Sequence, residues 1–313
     1  MNIQQLRYLH EIARQGLNIS EAAAALYTSQ PGISKQVKLL EEELGITIFE
    51  RTGKRLTGVT EPGRQVLEIV ARMLDDARNL KRVGDEYADE SSGTLDIATT
   101  HTQARYLLPP VVQQFMQRYP RVRLRLHQGN PVQVAEWVAN GQSDIGIATE
   151  ALDQVGQLVT LPCYQWSHTV VAPKGHPLHA EPAMSLAVLA RYPLITYDPT
   201  FTGRARIDKG FARLGITPNI VLTAVESDVI KTYVELGLGV GIIAEMAFDP
   251  VRDVTLAAVA AGHLFEGNTT RLGIRRAVWL RSFEYAFIEL IAPHLSRKLV
   301  ERTLKGGGED PGL

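Results

Sequence analysis

Tyr27-Thr28-Ser29-Gln30-Pro31-Gly32-Ile33-Ser34-Lys35-Gln36-Val37-Lys38-Leu39-Leu40 reads as the start and body of one amphipathic helix. Ser29 supplies a capping hydroxyl, and Pro31 falls in the first turn, where its missing N–H costs no hydrogen bond. Ile33, Val37, Leu40 and Leu44 recur at three- and four-residue steps as one apolar stripe, and Gly45 stops the helix. Upstream, Ile3, Leu6, Leu9, Ile12 and Ala13 mark an earlier helix ended by Gly16. Ser20 and Glu21 open an alanine-rich helix, Glu21 to Leu26. Two short helices joined by a tight turn, the second opening with small polar residues, form the helix-turn-helix pattern, whose second helix enters the major groove N-terminus first.

Gln30, Ser34 and Lys35 lie opposite the apolar stripe. Gln pairs bidentately with adenine, and Lys reaches guanine acceptors. Thr28, Ser29 and the free N–H groups of the first turn suit phosphates. Ile46 to Thr60 reads as a short hairpin with Gly53 and Lys54-Arg55 at its tip. The candidate DNA-facing set is Thr28, Ser29, Gln30, Pro31, Ser34, Lys35, Lys38, Arg51, Lys54 and Arg55. Residues 1–60 carry seven Lys/Arg against six Asp/Glu, a weak electrostatic footprint, although Glu41-Glu42-Glu43 fall at the far end of the second helix. From these residues alone, a helical dimerisation module with a solvated charged face also fits.

One long helix follows, from Pro62 to about Glu90. Val66, Val70, Met73, Ala77, Leu80 and Tyr87 follow alternating steps of four and three, interrupted only by Gly84, a two-stranded seam. The alternative is an amphipathic helix lying on its own domain. After the polar linker Asp89-Glu90-Ser91-Ser92-Gly93 the pattern changes to alternating strands and helices, which implies mostly parallel sheets covered by helices. Strands are expected at Leu95–Thr99, Val122–His127, Ile145–Ala148, His168–Ala172, Leu194–Tyr197, Ile220–Thr223 and Val240–Ala244. Helices are expected up to Tyr119, up to Asn140, at Gly203–Leu214 and Val229–Leu236, and from Phe283 to about Thr303. Two lobes accommodate this stretch, the chain crossing near Cys163 and returning near Gly267. The expected organisation is a 1–60 winged helix-turn-helix, a 61–92 linker and dimerisation helix, effector lobe 1 from 93–162 and 268–303, lobe 2 from 163–267, and a disordered tail 304–313.

The 313 residues are 45% hydrophobic and 21% charged with a formal net charge of −1, which suits two or three domains with real cores. One cysteine, Cys163, allows no internal disulfide and no four-thiolate zinc site. The absence of a signal-like start and of a long apolar run points to a cytoplasmic protein with no membrane role.

In an open α/β sheet, ligands sit beyond the carboxyl ends of strands, where helix N-termini point. Thr99-Thr100-His101-Thr102-Gln103, Thr149 and Thr200-Phe201-Thr202-Gly203 each follow such a strand, and Trp166 offers an indole N–H near the crossing. Hydroxyls, amides and helix N-termini suit a small oxyanion or a polar metabolite bearing a carboxylate. The competing reading is that each hydroxyl merely caps its own helix.

Residues 1–65 resemble the winged helix-turn-helix of LysR-type transcriptional regulators. The resemblance rests on Ala22-Ala23-Ala24-Ala25-Leu26, Ser29 to Gln36, Leu40-Glu41-Glu42-Glu43-Leu44-Gly45, Phe49-Glu50-Arg51 and Thr60-Glu61-Pro62-Gly63. Leu108-Pro109-Pro110, Phe115, Tyr119-Pro120 and Gly141 to Ala148 look like the first lobe of that family's periplasmic-binding-like effector domain. The implied fold class is α+β multidomain: winged helix-turn-helix, linker helix, two-lobed α/β effector domain. Thr99 to Tyr106 is similar to the cysteine-regulon (CysB-type) branch and its sulfonate-use relatives. That likeness implies effector contacts at Thr100, Thr102, Gln103, Thr149, Trp166 and Thr202, and sulfate, thiosulfate or acetylserine-type effectors. It implies an activator of cysteine biosynthesis and sulfate assimilation genes, or a paralogous regulator of sulfonate use. The implied partners are promoter DNA, a second copy or three more copies of the chain, and RNA polymerase at activated promoters. No cofactor is implied.

An enzyme is the main competitor from another class. There is no Gly-x-Ser-x-Gly elbow, no His-Glu-x-x-His and no phosphate loop. Gly237-Leu238-Gly239-Val240-Gly241 follows a helix and leads into a strand, the reverse of a dinucleotide fingerprint. Cys163 reads as a small buried hydrophobe, and His176 and His179 as loop residues lacking further metal ligands. With no nucleophile–base pair to name, the chain reads as a non-enzyme with no metal site. A cytoplasmic small-anion binding protein without a DNA role is the remaining alternative.

Overall fold

The computed structural model describes residues 1–53 and 55–306, with only the backbone described at Glu150 and Thr202. Lys54 and residues 307–313 of the expected tail therefore lie outside the described residues. The chain forms two compact units, Met1–Asp85 and one from Glu86 onward.

In the first unit, α1 (Ile3–Arg14), α2 (Ile19–Ala25) and α3 (Gln30–Leu44) precede the hairpin β1 (Phe49–Thr52) and β2 (Arg55–Val59). Ser29 caps α3 by accepting from Gly32 N–H, and Gly45 takes the left-handed conformation at φ 68° that ends it. The cap of α2 is Asn18, whose side chain accepts from Ser20 and Glu21 N–H, so the expected start at Ser20-Glu21 moves back. Ile33, Val37 and Leu40 are buried, but Leu44 is exposed and leaves the expected stripe one turn early. The long helix α4 (Glu61–Ala88) begins where Thr60 Oγ1 accepts from Gly63 N–H at 3.0 Å and donates to the Thr47 carbonyl at 2.6 Å. A Cβ on Gly63 would meet the Ile48 carbonyl oxygen at 2.2 Å, which explains a glycine in this first turn. Val70 and Leu74 of α4 join the core built from α1, α2, α3 and the hairpin.

The second unit holds two five-stranded sheets. The first has the order β4-β3-β5-β12-β6 and is built from β3 (Ser92–Thr99), β4 (Arg121–Gln128), β5 (Ile145–Ala148), β6 (Leu158–Trp166) and β12 (Asn268–Arg275). It is flanked by α5 (Leu108–Arg118), α6 (Pro131–Ala139), α10 (Ser282–Ile291) and α11 (Arg297–Leu304). The second has the order β11-β7-β10-β8-β9, from β7 (His168–Pro173), β8 (Leu194–Tyr197), β9 (Ile220–Ala224), β10 (Val240–Ala244) and β11 (Leu256–Ala260). It is flanked by α7 (Leu186–Leu189), α8 (Thr202–Arg213) and α9 (Ser227–Glu235). Separate apolar clusters lie on the two faces of each sheet.

Both sheets are mixed rather than mostly parallel. β3, β4 and β5 run parallel, as do β8, β9 and β10, while β6, β7, β11 and β12 bring antiparallel pairings. The first crossing also moves. All of β6 pairs with β12 in the first sheet, so the chain passes to the second lobe at Ser167, between Trp166 and His168, and not near Cys163. Cys163 is instead 4% exposed in the first-lobe core, where burial pushes its thiol pKa up to about 12. The return falls between Ala260 and Asn268. The single C-terminal helix expected from Phe283 is two, α10 and α11, because Pro293 cannot continue α10 and drives Ala292 out of helical conformation (φ −139°, ψ 87°). Leu304 is still helical, so the expected disordered tail does not begin there. Among the described residues no helix is long and apolar enough to cross a membrane.

Candidate functional site

The expected DNA-facing residues of the first unit lie on α3, the turn before it and the hairpin. Ser29, Gln30, Pro31, Lys35 and Lys38 are exposed and Thr28 and Ser34 half-buried, because Ile33, Val37 and Leu40 turn the opposite face inward. Gln30 and Arg55 line one concavity with the N-terminal turn of α2. Part of the acidic run pairs with cations of the expected set. Glu41 accepts the Ile48 and Phe49 N–H groups at 2.8 and 3.1 Å, and Glu42 pairs with Lys38 at 3.6 Å. Arg51 is exposed as well, and its guanidinium lies 3.3 Å from Glu41, which joins the hairpin to α3. Tyr27 is an addition. It is 97% exposed, with φ 49°, in the turn that presents α3. Its only sequence signal is a large aromatic residue just ahead of a helix cap.

In the second unit the expected effector residues converge where the lobes meet. Thr100 and Thr102 follow β3 and lead into a wide π-helical turn, Gln103–Leu107. Thr149 follows the adjacent strand β5, Trp166 ends β6, and Thr202 opens α8, its side chain being outside the described residues. Trp166 lies close to Gly203 in the first turn of α8, where a Cβ would meet the indole ring at 3.3 Å. Thr102 faces the buried phenol of Tyr197 in the other lobe, which bonds Ser227 Oγ at 2.7 Å and accepts from Ala244 N–H at 2.8 Å.

Hydroxyls that merely cap their helices would explain this pattern without a ligand, but the caps are not made. Thr149 occupies an N-cap position and forms no side-chain cap hydrogen bond, and Thr102 lies one residue inside its helix, where it caps nothing. The N-cap of α8 is Phe201, which has no oxygen to offer, and α9 also lacks a side-chain cap. Thr100, Gln103 and Thr149 are nonetheless buried. The Trp166 indole N–H is buried with no hydrogen-bond partner among the described residues. Gln103 differs from the rest. Its amide donates to Thr270 Oγ1 at 3.2 Å and accepts from the Tyr164 hydroxyl, so it braces the site from behind.

Charged groups stand at the mouth of the cleft and join the lobes. Asp228 at the start of α9 lies 2.7 Å from Arg105 and accepts from Tyr106 Oη at 2.7 Å, with Lys231 at 3.2 Å. His101 Nδ1 is 3.3 Å from Glu226. Burial alone would raise the Asp228 carboxyl, but the Tyr106 and Lys231 hydrogen bonds and the neighbouring cations outweigh it and hold the pKa below its ordinary value. His101, Thr102, Arg105, Tyr106, Ser227 and Asp228 line a cavity of about 320 Å³ here.

A helix-turn-helix on one unit and a two-lobed α/β arrangement with buried hydroxyls in the other define the class of ligand-responsive DNA-binding regulators. Residues 3–64 match the family model for bacterial regulatory helix-turn-helix proteins of the lysR family, and residues 88–296 match the LysR substrate binding domain. The chain belongs to the LysR family of transcription regulators, and it is not an enzyme. It is 54% identical to the HTH-type transcriptional regulator SsuR of Burkholderia cenocepacia over 305 residues, 97% of this chain and 99% of the relative. It is 52% identical to the CysB regulator of the same organism over 309 residues, 99% of each. The crystal structure of the cofactor-binding domain of the Cbl transcriptional regulator superposes with a TM-score of 0.66 at 46% identity, covering 68% of this chain and 93% of that one.

Proposed function

We propose that this regulator activates genes of sulfur acquisition, cysteine biosynthesis and sulfate assimilation first among them, in response to a small oxyanion or acetylserine-type effector held between the two lobes. The observation that carries the effector reading is the pair of helix starts without a side-chain cap, at Phe201 and Glu226, beside the buried hydroxyls of Thr100 and Thr149. The sulfur assignment draws on the likeness of Thr99 to Tyr106 to the cysteine-regulon branch. Control of sulfonate use is the second reading, supported by the likeness to SsuR standing level with that to CysB.

In this reading the effector draws on Thr100, Thr102, Thr149, Trp166 and Thr202 from both lobes, with Gln103 holding its neighbours in place. Ligand contacts on both sides stabilise one degree of lobe closure relative to others, and only that differential affinity does work. The protein binds promoter DNA as a dimer or tetramer, Gln30, Ser34 and Lys35 reading base edges in half-sites spaced by whole helical turns, and it meets RNA polymerase at activated promoters. Thermal-shift titration with sulfate, thiosulfate and acetylserine tests the effector half: a true effector raises the melting temperature progressively above its Kd, and Thr100→Ala abolishes the rise while leaving DNA affinity unchanged. Equal loss of both in Thr100→Ala, or no shift with any of the three, overturns the reading.

A further inference from the structure

Three of the residues whose buried side-chain polar atoms lack a hydrogen-bond partner adjoin one another: Trp166, His168 and Asn268. They occupy the two places where the chain passes between lobes. Trp166 ends β6, His168 begins β7 and Asn268 begins β12. Asn268 is the direct cross-strand partner of Trp166, so their side chains leave the sheet on the same face. One pair further along that face are Tyr164 and Thr270, both bonded to Gln103. The His168 ring packs edge-on against the Trp166 indole with centroids 5.4 Å apart, and its Nε2 lies beside Gly203 in the first turn of α8. The face that carries Gln103 therefore continues, toward the α8 N-terminus, into a wall of unbonded donors and acceptors.

Asn268 and His168 are 0% and 1% exposed. Leaving both ends of the Asn268 amide unbonded away from water is strongly unfavourable, and the His168 imidazole has only the Gly203 backbone beside it; a position that keeps them is explained by a group that binds there. The wall is uncharged: burial lowers the His168 pKa to about 4, so the ring is neutral near pH 7 and offers one donor and one acceptor. A bare oxyanion has acceptors only and matches the Thr hydroxyls, the indole N–H and the helix N-termini. It has no donor for the free Asn268 oxygen or the imidazole lone pair.

We propose that Asn268 and His168, with the Trp166 indole, form an arm-reading wall of the effector site, so that the preferred effector is a small oxyanion carrying an uncharged hydrogen-bonding arm rather than a bare inorganic anion. This rests on the cleft reading above and deepens it. Asn268 and His168 supply specificity; the threonines and helix N-termini supply the common anion affinity. A site built to bond a polar arm rejects ligands that lack it, because its own groups are then left unpaired.

Calorimetric titration of the full chain with inorganic sulfate, 2-hydroxyethanesulfonate and N-acetylserine tests this, in wild type and in the near-isosteric variants Asn268→Leu and His168→Phe. At least one of the two armed anions binds wild type about tenfold or more tightly than sulfate, and each variant removes most of that preference while sulfate affinity stays within about threefold. Melting temperatures of the unliganded variants stay level or rise, since an unbonded buried polar group has been replaced by an apolar one. No preference in wild type, a preference that survives both substitutions, or a fall in unliganded stability with an unchanged preference overturns the proposal and leaves the cleft standing. Absence of binding by all three anions to wild type overturns the cleft reading, and this proposal with it.

Discussion

Lys35 and Arg51 look alike as exposed cations near the reading helix, yet they have different surroundings. No ion pair holds Lys35 among the described residues, whereas Arg51 faces Glu41, which itself secures the start of the hairpin. Lys35→Ala is therefore expected to weaken operator binding by roughly 1–3 kcal/mol if it reads a base, and effector affinity is expected to stay the same. Arg51→Ala is expected to act chiefly on the stability of the hairpin. Gel-shift titrations at several salt concentrations, read beside melting curves, separate the two. Cys163 gives a second expectation at this scale. Its thiol is buried in the first-lobe core with its pKa raised to about 12, so a thiol reagent at pH 8 reacts only as fast as the unit opens. Rapid labelling of the native protein would contradict this. The threonines of the cleft were legible because hydroxyls after strands are conspicuous. His168 and Asn268 were not: that both are buried and unbonded is a property of their neighbours, and Asn268-Thr269-Thr270 carries no apolar periodicity to mark it as sheet.

At the scale of elements, α4 shows how two readings of one pattern can each hold for part of a helix. Val70 and Leu74 turn into the core of the first unit, as a helix lying on its own domain requires. Ile69, Met73, Leu80 and Tyr87 are exposed, at 47%, 39%, 76% and 88%, and their spacing places them on one narrow stripe. An exposed apolar stripe of this length on a regulator expected to bind paired half-sites is best covered by the same stripe of a second copy. Leu80→Glu, at a position 76% exposed and outside the first-unit core, is expected to shift the dimer toward monomer in sedimentation velocity and to leave the melting of that core unchanged. An unaltered sedimentation profile would remove α4 from the interface. The strands that escaped the sequence reading, β6, β11 and β12, all run antiparallel to a neighbour, but so does β7, which was legible, so their composition decides it. β6 is interrupted by Pro162, β12 is half polar, and β11 (Leu-Ala-Ala-Val-Ala) reads as readily as helix. β5, β8, β9 and β10, short and largely apolar, gave the clear signal, and β4 was marked by its alternation of Arg with Val and Leu.

At the scale of the whole molecule the question is how effector occupancy reaches the DNA-binding heads, and Glu86 offers a physical link. It sits in the last turn of α4, and its carboxylate accepts from Arg281 Nε and from Ser282 N–H, both at 3.1 Å, while Arg281 also donates to the Asp89 carbonyl at 2.7 Å. Arg281 is itself buried at the start of α10, a helix of the first-lobe core. The end of the linker is thus fixed to the lobe that carries Thr100, Thr102 and Thr149. Burial by itself would raise the Glu86 pKa; the hydrogen bonds from Ser282 and Arg281 prevail and hold it below its ordinary value. A carboxyl depressed in the folded state adds stability that is present above the unfolded pKa, near 4.3, and is lost as pH falls through the folded value. Glu86→Gln is accordingly expected to lower stability by roughly 2 kcal/mol at pH 7, with the difference from wild type shrinking as pH drops below about 4.5, measured by thermal unfolding across pH. The same substitution tests transmission. Coupling between effector and operator is a free energy shared by both sites. If the anchor carries it, Glu86→Gln keeps the Kd for operator without effector and the Kd for effector without operator, while the ratio of operator affinities with and without effector moves toward one. An unchanged ratio in a destabilised variant would show that the anchor serves stability alone and that closure of the lobes reaches the heads by another route.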